Sequence, residues 1–80
     1  AGGTMPCALN AANEVAVELF LHEKISFGSI PTIIEKTMAD HPFTEAPRLG
    51  DLVEIDRWCR ERARAIGARA VTVSVAAFDA

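Results

Sequence analysis

Residues 9–21, LNAANEVAVELFL, carry the strongest helical pattern in the chain. At about 100° per residue, Ala8, Leu9, Ala12, Val15, Ala16, Leu19 and Phe20 form one broad apolar face, as a core helix requires. The opposite side is only half polar, because Val17 and Leu21 lie there among Asn10, Asn13 and Glu14. A helix apolar on two sides touches protein on two sides. Alanines at 8, 11, 12 and 16 keep side chains short, so neighbouring elements come close and the amides of Asn10 and Asn13 can reach backbone groups. This is the pattern of the central helix of a small bundle, over about residues 5–22.

Upstream, Gly2 and Gly3 read as a flexible lead-in, Thr4 as an N-cap and Pro6 as a first-turn proline. Downstream, Lys24 to Gly28 is a connection whose Ile25 and Phe27 can fold back on the core, and Ser29 reads as the second N-cap. The second helix, 30–40, is one-sided: Ile30, Ile33, Ile34, Thr37 and Met38 share a face, with Glu35, Lys36 and Asp40 outside it. His41 and Pro42 stop it, and a loop runs to Arg48. Asp51 and Glu54 open a third helix over about 51–66, with Leu52, Ile55, Cys59, Ala63 and Ile66 inward and Gly67 as its C-terminal cap. Beyond it Val71, Val73 and Val75 alternate with Thr72 and Ser74, a strand period without a strand to pair with. A frayed tail is preferred there over an added strand or a helical continuation. The expectation is all-α: three main helices in a bundle over 1–70, with 71–80 a tail that is disordered, bound to a partner or packed as a fourth segment.

Eighty residues make one domain near the lower limit of independent stability, and 14 alanines against four Phe and one Trp make its core thin. A partner surface would add to that core. The net charge of −3 gives no global attraction to nucleic acid. It divides unevenly: residues 1–56 hold nine acids and three bases, residues 57–80 five arginines and two acids. Matching of the third helix's dipole, with acids at its start and arginines towards its end, accounts for the division. No apolar run reaches the roughly 18 residues needed to cross a membrane, and no signal segment is recognisable. Cys7 and Cys59 are too few for a disulfide framework, which favours a reducing compartment.

Reactive constellations are scarce. The Gly2-Gly3-Thr4 lead-in could hold an anion at a helix N-terminus but reads better as a linker. Glu14, Glu18 and His22 repeat every four residues, as a metal face or an ordinary exposed edge does, and the edge is preferred. His41 at a helix end caps carbonyls, and Cys7 reads as a small buried thiol. Arg57, Arg60 and Arg64 share an arc that could meet phosphates, but Glu61 interrupts it, so no nucleic-acid partner is expected. Arg62 either stacks on Trp58 or pairs with an acid across an interface, with stacking preferred. No pair of groups makes an active site.

The run Leu9-Asn10-Ala11-Ala12-Asn13-Glu14-Val15-Ala16-Val17 is long and ungapped. With Gly2-Gly3, Pro6, Phe20-Leu21, Ile25, Phe27 and Ile30 it resembles the C-terminal helical domain of 1-deoxy-D-xylulose 5-phosphate reductoisomerases. Asp51-Leu52, Asp56, Trp58 and Arg60-Glu61-Arg62-Ala63 extend the likeness, which covers about residues 2–66. The resemblance implies a parent enzyme that uses NADPH and a divalent metal, Mg or Mn, in non-mevalonate isoprenoid synthesis. It also implies that the cofactor domain, metal carboxylates and phosphate-binding serines lie upstream, so no catalytic, cofactor or metal residue maps onto this chain. Its setting would be the bacterial cytoplasm or a plastid. The chain departs from the family after Gly67, where relatives continue as helix. The reading is a non-catalytic structural domain packing against the catalytic domain. Its candidate interdomain or self-association residues are Asn10, Asn13, Val17, Leu21 and Arg62. The rival is a free-standing helical module that dimerises or binds an anionic partner.

Overall fold

A computed structural model describes the backbone of residues 2–79 and the side chains of residues 2–69. Three helices pack against one another: α1 (Met5–Leu21), α2 (Ser29–Asp40) and α3 (Leu49–Asp79). The all-α expectation holds, and the bounds of α1 and α2 agree within a residue. Thr4 faces His41, whereas Cys7 meets Leu52, Glu14 meets Arg60 and Glu18 meets Arg64. The constant offset makes α1 and α3 parallel, with α2 antiparallel to both.

The core has two centres joined along α1. Val15 and Ala16 pack with Ile33, Ala63 and Ile66 at one end, and Ala8 and Ala11 with Ile55 and Cys59 at the other. The inward faces of α2 and α3 are those expected. That of α1 is rotated: Ala11 is fully buried, while Leu9 is 47% exposed. Two apolar sides on one helix had blurred which one was the core.

Each helix start differs in detail from its expected cap. Thr4 precedes α1 but makes no side-chain cap bond, and Gly28, not Ser29, precedes α2. The hydroxyl of Thr4 instead accepts the Thr44 N–H at 3.0 Å and lies 3.0 Å from Nε2 of His41. The Thr4 N–H donates to the Thr44 carbonyl at 3.0 Å, and His41 Nδ1 donates to the Met38 carbonyl. With the proton on Nδ1, Nε2 of the neutral ring accepts the Thr4 hydroxyl proton. This latch closes the lead-in to α1 onto the α2–α3 loop, and Gly3, at φ 52°, passes so close to Thr44 and Glu45 that a Cβ would collide with their backbone. The acidic opening of α3 is half of a capping box: Asp51 reaches back to the Arg48 N–H at 3.0 Å, so the helix begins at Leu49.

Gly67 does not cap α3. The helix runs through it to Asp79, in place of the expected end at 66 and of the preferred frayed tail, so the backbone takes the helical continuation. A Cβ on Gly67 would stand 2.6 Å from Leu19 Cδ1, so this glycine is where α3 passes closest to the Leu19 side chain of α1. Whether the tail over 71–80 binds a partner lies outside the described residues.

Candidate interaction face

Several of the charged groups that could have made a ligand site are paired with one another between α1 and α3. Arg60 lies 2.5 Å from Glu14 and 2.9 Å from Asp56, and Arg64 lies 3.8 Å from Glu18. Those carboxylates hold the Arg60 guanidinium above its usual range by accepting its hydrogen bonds, Asp56 first and Glu14 second. The arginine arc thus neutralises the acidic edge of α1 and offers no free row to phosphates. It also replaces dipole matching as the reason for the charge division: α3 has no base in its last turn. Of the Glu14-Glu18-His22 ladder two members are ion-paired and His22 is the C-cap of α1. Among the described residues no group of three His, Cys, Asp or Glu could hold a metal ion.

Arg62 does not stack on Trp58 as expected. It pairs with Asp40 of α2, from Nη2 at 2.9 Å and Nε at 3.2 Å, so it ties two helices of the same chain. The Gly2-Gly3-Thr4 lead-in is closed on itself and on Thr44. The thiols are free of each other and unreactive. Burial, foremost, and the charge of Asp56 push Cys7 up against the opposing pull of Arg60, and its Sγ–H donates to the Leu52 carbonyl at 3.4 Å. Burial pushes Cys59 up to about 11, with Cys7 and Asp56 adding to it.

What remains open is the outer face of α1. Asn10, Asn13, Val17 and Leu21 all emerge there, the last two 36% and 70% exposed. The geometry adds Leu9 and the 39% exposed Met5. Leu9, Asn13, Val17 and Leu21 succeed one another at four-residue steps, sweeping about 40° per step along a helix of 17 residues. None of the six is charged, and the side-chain amides of Asn10 and Asn13 bond to no other group among the described residues. A shallow groove of about 430 Å³ adjoins the face, with Asn13, Val17, Leu21 and His22 on one side and Glu14, Glu18 and Arg60 as its wall. Met5 and Leu9 were missed because an apolar residue one turn from the core arc cannot be assigned a side by pattern alone. Among the described residues no helix is long and apolar enough to cross a membrane.

No solved structure matches the chain significantly. The reductoisomerase of Halothermothrix orenii is 51% identical over 65 residues, which are 81% of this chain and 17% of that protein. That of Acetivibrio thermocellus is 56% identical over 61 residues, 76% of the chain and 16% of the protein. That of Crocosphaera subtropica is 56% identical over 64 residues. All three carry the name 1-deoxy-D-xylulose 5-phosphate reductoisomerase, and the chain spans about a sixth of their length. The family model described as the DXP reductoisomerase C-terminal domain matches residues 1–62, and the chain therefore belongs to that family of domains.

Proposed function

We propose that the chain serves as the non-catalytic C-terminal structural domain of an NADPH-dependent 1-deoxy-D-xylulose 5-phosphate reductoisomerase, packing against the catalytic domain and holding its framework. The observation that carries the reading is the match to the C-terminal domain of these enzymes over residues 1–62. The engagement of the candidate groups fits it: Glu14 and Glu18 are ion-paired, Cys59 is buried, and His41 is held between Thr4 and Met38. NADPH and a divalent metal would belong to the parent enzyme. The described residues of this chain do not fit either group, and no chemical step is assigned to them. The compartment would be the bacterial cytoplasm or a plastid.

Complementation tests the reading. The Halothermothrix orenii enzyme cut before the matched region is assayed by NADPH oxidation, with this chain fused in place of its own C-terminal segment. Recovered turnover supports the structural role. A folded fusion with no turnover sinks it and favours a self-contained interaction module.

A further inference from the structure

We infer that the uncharged outer face of α1, from Met5 through Leu9, Asn13 and Val17 to Leu21, is the seat for the polypeptide that precedes this domain in the parent enzyme. The inference rests on the proposed function and narrows it to one face and one occupant. In a chain with 24% charged residues, this whole side of a 17-residue helix carries none. Charged residues are depleted from the cores of protein interfaces because their desolvation is costly, and the face has that character. Its edge on α3 is already compensated, since Glu14 and Glu18, which wall the adjoining groove, pair with Arg60 and Arg64. A covering surface therefore meets no unpaired carboxylate there.

The two amides specify the kind of occupant. Asn10 and Asn13 are exposed and their side-chain amides bond to nothing among the described residues, so covering them demands donors and acceptors at fixed places. A polypeptide supplies these; a lipid surface does not, and the face offers no basic residue to anionic headgroups. The length outside the domain names which polypeptide. The chain accounts for 17% of the Halothermothrix orenii enzyme, and the family model places it at the C-terminus, so the remainder lies on the N-terminal side. That remainder reaches the bundle at Gly2 to Thr4, which the Thr4–His41–Thr44 latch pins at the end of α1 where the face begins.

The test uses the full-length fusion described above, with three substitutions to Asp: Val17→Asp, Asn13→Asp, which changes charge at almost constant shape, and Thr32→Asp on the exposed side of α2. Coverage is read directly by thiol labelling of Leu21→Cys against Thr32→Cys, localised by mass spectrometry. The expected result is a turnover loss of at least about tenfold for Val17→Asp and Asn13→Asp, with helicity retained and Thr32→Asp unaffected. Leu21→Cys should label at least about tenfold more slowly than Thr32→Cys, as a covered side chain does. Wild-type turnover in both α1 variants with fast labelling at position 21 overturns the docking face while leaving the structural role standing. Slow labelling that appears only in a homodimer, and is lost on dilution without loss of turnover, also overturns it, because a second copy is then the occupant. An inactive unsubstituted fusion removes the reading beneath both.

Discussion

Two threonines are fully buried, and they should respond oppositely to loss of the hydroxyl. Thr4 serves His41 and Thr44 at once, so Thr4→Val strands a buried ring nitrogen and a backbone N–H; the expected cost is about 2–3 kcal/mol in a urea titration. Thr37 Oγ1 has no partner, and Thr37→Val should be neutral or stabilising by up to about 1 kcal/mol. A loss above about 1 kcal/mol at that site would mean that the hydroxyl is satisfied in solution. Cys59 gives the chain an alkaline limit. Its folded thiol titrates at about 11 against an ordinary 9.0, so the unfolded state loses the proton first. Stability is intact below pH 9 and falls as pH rises towards 11. In Cys59→Ala that part of the alkaline decline should vanish; an identical pH profile would count against the burial of the thiol.

The end of α1 stores a small strain. Lys24 N–H donates to the Leu19 carbonyl at 2.8 Å and Glu23 N–H to the Phe20 carbonyl at 2.9 Å, the two bonds of a Schellman turn. Its left-handed position is filled by Glu23, at φ 58°, where glycine is the usual occupant. Glu23→Gly should therefore raise the unfolding free energy by about 0.5–1 kcal/mol. Gly67 is the opposite case: a glycine inside a helix, retained for contact with Leu19. Gly67→Val should destabilise by about 1–3 kcal/mol through overpacking, measured by thermal melting. These elements also mark the limit of what was legible. The one-sided faces of α2 and α3 follow from spacing alone, because each has a single apolar side. Glycine has two uses with one signature, so Gly67 looked like a stop. A cap is a local inference, and Thr4 is claimed by His41, 37 positions away. Arg62 was read with Trp58 as its partner because Asp40, on another helix, is near it only after folding. The outward set Asn10, Asn13, Val17 and Leu21 was legible; its extension to Leu9 and Met5 needed the position of α2.

At the scale of the molecule, the bundle is thin. Its fully buried apolar residues are mostly alanines, with Val15, Ile33 and Cys59 the larger exceptions. A domain of 80 residues with such a core should unfold cooperatively with no more than about 5 kcal/mol of stability and a urea slope near 1 kcal/mol per molar. Parallel α1 and α3 set like dipole ends side by side, and the Glu14–Arg60 and Glu18–Arg64 pairs bridge those two helices. Because the pairs are largely exposed, Arg60→Met should cost under about 1 kcal/mol, and less at high salt. A stability that stays unchanged between low and molar salt in both chains would contradict that assignment.

The latch at Thr4 also has a mechanical meaning. Tension transmitted along the backbone into Gly2 and Gly3 does not pull first on the turns of α1. It is intercepted by the bonds between Thr4 and Thr44, which pass the load into the middle of the α2–α3 loop. The helix bearing the outer face is thereby shielded from fraying by whatever moves upstream of it, and its first turn behaves as a clamped beam instead of a free end.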